Sequence, residues 1–396
     1  MADTAVPSLP QGPDDDADDG TDELADNDAG RDPQAVDEGE FADNDAGRDP
    51  QAVDEGEFAD NDADNGADTG ADELVADRLG HVLGPVTVVR DTVLSGGFYN
   101  SARLLELADG RRLVLKTAPR ASALALTHEQ DLLATEALFH RLAARAGARV
   151  PTVLHHEPAG PGTPAEWLLL TYVDGTTWDA ARDRLTPADR AALRHRLGES
   201  MARISTVTGS AYGYPRPVLS GPDWPSAFTA MLHAVLADAI RFEVALPVPA
   251  GLLADLPVRF GHRLAEVRRP ALVHFDAWEG NIVLARTGTG PWHLGGLIDG
   301  ERAFFGDPLA ELVGLDPLGS AEDDPDLMAG YRTLAPGLTI DTGARVRLAL
   351  YRVYLTLIMR VEAVPRAYDG ELAASRDSWS AERLTRQLAA LDALEA

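Results

Sequence analysis

Apolar and polar residues alternate along residues 81–119, where β-branched or apolar side chains recur at every second position. Turn-forming residues interrupt the alternation twice, at residues 95–97 and at Asp109 and Gly110. A period of two with such breaks is typical of antiparallel strands joined by tight turns. The pattern therefore predicts three strands in this segment.

The apolar pattern becomes helical after the third strand. From Thr127 to Ala146 apolar residues recur at helical spacing, and Gly147 ends the pattern. Residues 150–173 again have the composition of strands and end in the apolar run Trp167 to Val173. Strands, one helix and further strands together predict a small α+β lobe.

Beyond Asp174 and Gly175 the pattern is mostly helical, and a single stretch, residues 272–308, interrupts it with β character. Within that stretch Ile282 to Arg286 and Leu294 to Ile298 are predicted to form two strands around a glycine-containing loop. The helices are predicted near residues 187–206, 224–244, 257–267, 345–363 and 378–394. The sequence thus predicts a two-lobed α+β protein, with a smaller lobe at residues 74–171 and a larger, mainly helical lobe at residues 172–396.

The first 73 residues follow neither the alternation of strands nor the spacing of helices. They hold 26 acidic residues against two arginines, a net charge of −24 out of −29 for the whole chain. The unit ADNDAGRDPQAVDEGEF occurs at residues 25–41 and again, unchanged, at residues 42–58. Because its only large apolar residues are Val and Phe, it cannot bury enough surface to offset the entropy of ordering. We predict a disordered acidic tail over residues 1–73, with a solubilising or partner-binding arm as the functional alternative.

Composition excludes several classes of protein. There is no cysteine, so neither disulfides nor a thiolate metal site can form. The N-terminus lacks a basic start and an apolar core, and no run approaches 18 apolar residues, so we expect a cytoplasmic protein without membrane association. Residues 74–396 carry 38 acids and 33 bases, which gives no support for nucleic-acid binding.

The β stretch at residues 272–308 carries the candidate chemistry. If its two strands pair about position 290, Asn281 and Asp299 lie opposite each other at the open end of the hairpin. One carboxamide and one carboxylate suit a hard cation such as Mg²⁺, which binds few protein ligands and retains water or phosphate oxygens. Asp276 lies five residues before Asn281, near the same rim, where it could orient an acceptor hydroxyl and take its proton.

These residues carry a family resemblance, set by His274, Asp276 and Asn281, then Asp299, then Gly306, Asp307 and Pro308. The set resembles the catalytic loop and metal-binding signature of aminoglycoside phosphotransferases and their choline-kinase and fructosamine-kinase relatives. The similarity spans about residues 90–320 and implies a bilobal protein-kinase-like fold. It also implies ATP- and Mg²⁺-dependent transfer of a γ-phosphate to a hydroxyl group, with Asp276 as the catalytic residue. In this comparison His274 braces the loop, and Asp307 caps the following helix and bonds loop amides.

Lys116 is the only lysine of the chain, beside 34 arginines. A compact ammonium is not interchangeable with a planar guanidinium, and contact with the α- and β-phosphates is a site where that matters. We predict that Lys116 contacts the nucleotide and that a helix carboxylate holds its ammonium group. Glu136 fits the family position best, and Glu129, seven residues earlier, is the alternative.

The resemblance also assigns the other nucleotide contacts. Backbone N–H groups of Gly96 and Gly97, with those near Asn100 and Ser101, would cover the phosphates. Backbone groups of the segment between the lobes would hold the adenine: Thr171, Tyr172 and Val173.

Two positions depart from the family pattern, and neither change removes a ligand. Phe275 stands where the enzyme relatives usually have glycine, and Gly300 stands where an aromatic residue is usual, which we expect to loosen the metal loop. Only eight residues separate Asp299 from Asp307, so there is no room for the peptide-docking segment of protein kinases. A small-molecule acceptor is therefore favoured over a protein.

The acceptor itself stays open at this stage. An antibiotic is one candidate, as for a resistance or self-protection kinase, and a glycated amine is another, suggested by the run Trp278 to Asn281. A nucleotide-sensing scaffold whose acidic tail recruits partners is the non-enzymatic alternative. Residues 171–270 hold 12 arginines against 10 acids, which disfavours polycationic aminoglycosides and leaves nucleoside, peptide, macrolide or sugar acceptors open.

Overall fold

The computed structural model describes residues 75, 78–94, 100–119, 124–161, 163, 165–368 and 370–395, all within one compact unit, Asp68–Ala396. The predicted tail, residues 1–73, lies outside the described residues, as do Gly96 and Gly97. None of the helices among the described residues is long and apolar enough to cross a lipid bilayer.

The smaller lobe is built on a five-stranded antiparallel sheet, as the alternating pattern predicted. Its strands are β1 Val88–Leu94, β2 Ser101–Leu107, β3 Arg112–Thr117, β4 Val153–Glu157 and β5 Trp167–Thr171, in the order β1-β2-β3-β5-β4. Residues 78–83 are helical, and Leu79 packs with Leu105, Leu113 and Trp167 in the core on one face of the sheet. The three predicted strands of residues 81–119 are therefore confirmed.

The long helix among the described residues of this lobe begins later than predicted. It is α1, Leu132–Arg145, and it packs against the other face of the sheet through Leu133 and Ala137. The prediction of a continuous helix from Thr127 is wrong, because Asp131 has a left-handed backbone with φ of 55°. Thr127–Glu129 form a separate 3₁₀ turn instead.

The larger lobe is mainly helical, as predicted. Its helices are α2 Trp178–Ala181, α3 Pro187–Ile204, α4 Trp224–Arg241, α5 Ala250–Ala254, α6 Leu256–Arg259, α7 Gly261–Leu264, α8 Ala310–Leu315, α9 Pro325–Arg332, α10 Thr342–Val361 and α11 Gly370–Glu395. Thr186 and Asp189 cap the start of α3 reciprocally, and the buried residues of α10 face every direction around its axis. Helix α10 is therefore the central element of the core.

The expectation of a single β interruption in the larger lobe is wrong. Besides the predicted hairpin, β10 Ile282–Ala285 and β11 His293–Leu297, this lobe contains five strands of two or three residues. They are β6 Thr176–Thr177, β7 Tyr212–Gly213, β8 Ser220–Gly221, β9 Ala271–Val273 and β12 Phe304–Gly306. They form two sheets, β11-β10-β6 and β8-β7-β12-β9. Strands this short are too brief to show a periodic pattern.

Candidate active site

The hairpin β10–β11 brings the predicted metal ligands to one end. Ile282 pairs with Leu297, and the next backbone bond runs from Ile298 N–H to the carbonyl oxygen of Asn281 at 3.0 Å. Asn281 therefore faces Ile298, one residue short of the predicted partner Asp299. Asp299 follows with a left-handed backbone, φ 63°, at the turn where the chain leaves the strand.

Asp276 lies beside Asn281, as the sequence predicted. The Asn281 amide donates to the backbone oxygen of Asp276 at 2.7 Å and to its Oδ2 at 3.3 Å. Burial raises the pKa of Asp276 to about 7, against the opposing charge of Arg302, whose Nε lies 3.8 Å from Oδ2. The carboxylate is thus held in a fixed orientation by a neighbouring amide, with one arginine at its side.

His274 connects the loop of Asp276 to the loop of Asp299. Its Nε2 donates to the carbonyl oxygen of Ile298 at 2.9 Å, and its Nδ1 accepts from the backbone N–H of Asp276 at 3.3 Å. Burial lowers the pKa of this fully buried histidine to about 4, so the ring is neutral, with one donor and one acceptor nitrogen. This geometry is that of a brace between the two loops.

Gly300 does not leave the metal loop loose. A Cβ at this position would overlap the ring of Phe139, which reaches over from helix α1. The same ring packs edge-on against His274, with ring centroids 4.8 Å apart. Phe139 supplies from another element the aromatic group that the sequence lacks after Asp299.

Lys116 joins the two lobes at the centre of the cleft. Its Nζ lies 2.8 Å from Glu136 Oε2 and 2.6 Å from Asp299 Oδ1. Burial alone would raise the pKa of Glu136, but the ammonium group of Lys116 and a hydrogen bond from His140 lower it to about 2. The structure thus brings Glu136 to Lys116, and it does not bring Glu129, which binds Arg366 of the larger lobe at 2.8 Å.

Glu301 also lies in the cleft, and the sequence reasoning missed it. Carboxylate oxygens of Glu136, Asp299 and Glu301 lie within 4.8 Å of one another, an arrangement that could hold a divalent cation. Burial, followed by the charge of Asp299, raises the pKa of Glu301 to about 8. The spacing Asp-x-Glu directly after a buried strand was the available signal, because it places two carboxylates on one short loop.

Asn100, directly before strand β2, contacts this group. The Asn100 amide donates to Glu301 Oε2 at 2.8 Å, and its buried Oδ1 has no hydrogen-bond partner among the described residues. Ser101 is exposed at the start of β2, and its hydroxyl donates to the carbonyl oxygen of Thr117 at 3.3 Å. Asn100 therefore contacts the carboxylate cluster through Glu301, whereas the Ser101 side chain is bonded to the neighbouring strand.

The segment predicted to hold the adenine leads from β5 into the larger lobe. The backbone N–H groups of Thr171 and Tyr172 donate to Thr152 and Arg112, both at 3.0 Å, so these two donors are engaged. Within the described part of the chain, the backbone of Val173 makes no hydrogen bond. Of the three predicted residues, Val173 is thus the one whose backbone N–H is not already engaged within the described residues.

Asp307 does not cap the following helix. Helix α8 begins after Leu309 without a side-chain cap, although Asp307 Oδ1 does accept from the backbone N–H of Leu309 at 3.0 Å. The other oxygen, Oδ2, accepts from Tyr351 and Arg347 of α10, each at 2.8 Å. Asp307 ties its loop to the central helix of the core.

Comparison with known proteins identifies the family and the fold of this chain. A family model described as the phosphotransferase enzyme family (APH) matches residues 91–349. No curated protein matches the sequence. Among solved structures, a protein assigned as a fructosamine-3-kinase from Thermobifida fusca is 20% identical over 79% of this chain and 98% of its own, with a TM-score of 0.58.

Aminoglycoside phosphotransferases have the same fold. Aminoglycoside phosphotransferase APH(4)-Ia is 16% identical over 81% of this chain and 97% of its own, with a TM-score of 0.55. An ADP-bound aminoglycoside phosphotransferase, APH(2'')-Ib, is 14% identical over 81% of this chain and 99% of its own, with a TM-score of 0.52. The family match covers more than half of the sequence, and the chain therefore belongs to the phosphotransferase enzyme family.

Proposed function

We propose that this phosphotransferase uses ATP and Mg²⁺ to transfer the γ-phosphate to a hydroxyl group of a small molecule. The observation that carries the proposal is the meeting of Asp276, Asn281 and Asp299 from the larger lobe with Lys116 from the smaller lobe. Phosphoryl transfer needs cations at the phosphates and a carboxylate that orients the acceptor hydroxyl. These four side chains supply both requirements in one cleft.

The residues present fit a magnesium ion. Asp299 and Glu301 offer carboxylate oxygens that lie within 4.8 Å of each other, and Asn281 would add its amide oxygen as a further ligand. When bound, the ion neutralises charge on the transferring phosphate. Lys116 would add its ammonium charge beside Asp299, and Glu136 would keep that ammonium in place. A ternary complex of an APH(4)-Ia mutant contains AMP-PNP and hygromycin B, which supports a nucleotide in this cleft.

A small acceptor is supported by the chain after Asp299. Gly300–Arg302 form a 3₁₀ turn, and Phe304–Gly306 form strand β12, which pairs with β7 and β9. The eight-residue segment up to Asp307 is thus occupied by secondary structure. It offers no extended loop on which a peptide substrate could dock.

A neutral acceptor is supported by the charges near Asp276. Glu362 is bound by Arg302 at 2.9 Å and by Arg366 at 3.2 Å, and Glu129 is bound by Arg366 at 2.8 Å. The ammonium groups of a polycationic aminoglycoside would compete with arginines for these carboxylates. An antibiotic acceptor of nucleoside, macrolide or sugar type is therefore favoured over an aminoglycoside.

The side chains of Trp278 and Glu279, part of the run that suggested a glycated amine as acceptor, are engaged in contacts within the larger lobe. Glu279 binds Arg182 at 2.9 Å and Arg194 at 2.8 Å, and the ring of Trp278 packs directly against Gly280. These side chains fix the shape of the catalytic loop. The fructosamine-kinase-like alternative is tested by a substrate screen in which glycated lysine and the antibiotics are offered as acceptors in one panel.

The catalytic role is tested by Asp276→Asn. The variant keeps the hydrogen bond from Asn281 but cannot accept a proton, so we expect transfer to fall by roughly 10²–10⁴-fold while the Kd for MgAMP-PNP stays unchanged. Asp392→Asn, the same substitution in a surface ion pair with Arg259, is the control. Wild-type turnover in the Asp276 variant would remove Asp276 from the mechanism, and no ADP release from the wild type with any acceptor would favour the scaffold alternative.

A further inference from the structure

A short segment between strand β3 and helix α1, Ala125 to Asp131, is here called the strap. By sequence it belongs to the smaller lobe, yet Leu126, His128 and Glu129 are buried against the larger one, while Gln130 and Asp131 stay exposed. Leu126 is fully buried in the core of the larger lobe, and the His128 ring stacks on Tyr214 with ring centroids 5.9 Å apart. The strap is therefore a fixed connection between the lobes.

Hydrogen bonds to the larger lobe hold the strap along its length. The backbone N–H and the hydroxyl of Thr127 donate to the two carboxylate oxygens of Asp238 in α4, at 2.6 and 2.9 Å. Arg216 donates to the backbone oxygen and the side-chain oxygen of Gln130, at 2.6 and 2.8 Å. Helix α1 starts directly after these anchors, so the position of Glu136 on its second turn depends on the larger lobe.

A series of ion pairs, here called the relay, leads from the strap to the catalytic loop. Glu129 binds Arg366 at 2.8 Å, and Arg366 binds Glu362 at 3.2 Å. Glu362 binds Arg302 at 2.9 Å, and Arg302 Nε lies 3.8 Å from Asp276 Oδ2. The side chains of the two arginines are 12% exposed and those of the two glutamates 4%, so water screens these pairs weakly.

We propose that the relay couples the nucleotide half of the active site to the acceptor half, with Glu129, Arg366 and Glu362 as its positioning residues. The described ion pairs and hydrogen bonds of Glu129, Arg366 and Glu362 lead to the strap and to Arg302, not directly to Lys116, Glu136 or the predicted metal ligands. They act through their neighbours: Glu129 fixes the strap and hence helix α1, and Glu362 fixes Arg302 beside Asp276. The inference rests on the proposed function, because it assigns the two halves of the cleft to nucleotide and acceptor.

Glu362→Gln is the sharpest test. The substitution keeps the size of the side chain and removes its charge, which leaves Arg302 and Arg366 without their shared partner. Glu362 follows the last residue of α10 and lies on the acceptor side, so a local effect would not reach the nucleotide. The relay predicts that the Kd for MgAMP-PNP, measured by calorimetry on the full chain, rises by about fivefold.

Glu322→Gln is the matched control. Glu322 forms an equally buried pair with Arg352 at 2.6 Å, and it has no link to Asp276 or to the strap. We expect it to leave the Kd unchanged, even where it lowers the melting temperature as much as Glu362→Gln does. Equal Kd values for the two folded variants would overturn the relay. A wild type that does not bind MgAMP-PNP would instead refute the proposed function.

A double-mutant cycle uses a second variant in case the first folds poorly. Glu129→Gln removes the charge at the strap end, while its amide oxygen can still accept from the backbone N–H of Leu126 as Glu129 does at 2.8 Å. Because both glutamates act through Arg366, the double variant should bind MgAMP-PNP about as weakly as the weaker single variant. If the double variant raised the Kd by the product of the two single increases, the two glutamates would act independently, which would contradict the relay.

Discussion

Gly300 and Phe139 set the distance between the loop at residues 299–302 and helix α1. The absence of a side chain at Gly300 lets the loop contact the Phe139 ring, and that ring in turn supports His274. The contact is specific to glycine because of space, since the backbone of Gly300 has no positive φ. A substitution such as Gly300→Ala looks conservative, but it would remove this close contact between the two lobes.

Gly300→Ala should destabilise the protein by about 1–3 kcal/mol, because its Cβ overlaps a ring in a packed core. Urea unfolding measures the loss, and Phe139→Leu in the same background should recover part of it by making room. Gly251→Ala is the control, since Gly251 lies in helix α5 with nothing within 4 Å of the added Cβ. A Gly300 variant as stable as the control would show that the loop can shift freely.

His128→Leu should weaken the acid sensitivity of the fold. Burial, followed by the charge of Arg302, lowers the pKa of His128 to about 3, so the unfolded chain takes up its proton first as pH falls below the ordinary value of about 6.5. His128 therefore lowers the stability progressively from pH 6.5 downwards. The variant should lose stability less steeply between pH 6.5 and 4.5, by up to about 1.4 kcal/mol per pH unit. If the free energy of unfolding, measured by urea titration, fell with pH as steeply in the variant as in the wild type, the lowered pKa of His128 would be contradicted.

The elements that the sequence predicted correctly are those whose signal is local. The strand ending in Lys116 and the hairpin between Asn281 and Asp299 follow from alternation and turn residues within some twenty positions. The start of helix α1 was missed because Leu126 is buried by the larger lobe, which no local pattern records. Apart from Glu362 and Arg366, which lie four positions apart, the paired residues of the relay are likewise distant in sequence, so only the folded chain brings Glu129 and Arg302 into one series.

Tyr351→Phe tests how helix α10 holds the loop of Asp307. The hydroxyl accepts from Trp224 Nε1 and donates to Asp307, both at 2.8 Å, so its removal leaves the buried Trp224 N–H without a partner and leaves Asp307 Oδ2 with Arg347 alone. We expect a loss of about 1–3 kcal/mol in thermal unfolding. Tyr354→Phe, on the same helix, removes only a 3.3 Å bond to Tyr214 and should cost less. Equal losses would show that the Asp307 link adds nothing to stability.

On the scale of the whole molecule, the proposed active site is shared between two lobes that contact each other at several points. Lys116 and Glu136 come from the smaller lobe and Asp276, Asn281 and Asp299 from the larger, and the strap connects them outside the cleft. The order of these parts along the chain was predictable, because a family signature keeps its order. The identity of the acceptor was not predictable, because it depends on side chains that distant segments bring together.

The most direct test of the proposed function is to locate the transferred phosphoryl group on the product. The protein is incubated with MgATP and a panel of neutral nucleoside, macrolide and sugar acceptors beside aminoglycosides and glycated lysine, and the products are identified by mass spectrometry and phosphorus NMR. We expect one phosphoryl group on an acceptor hydroxyl for each ADP released, lost on chelation of the metal and in Asp276→Asn. ADP and inorganic phosphate with every acceptor unchanged, or phosphorylated product formed at the same rate by the variant, would contradict the account.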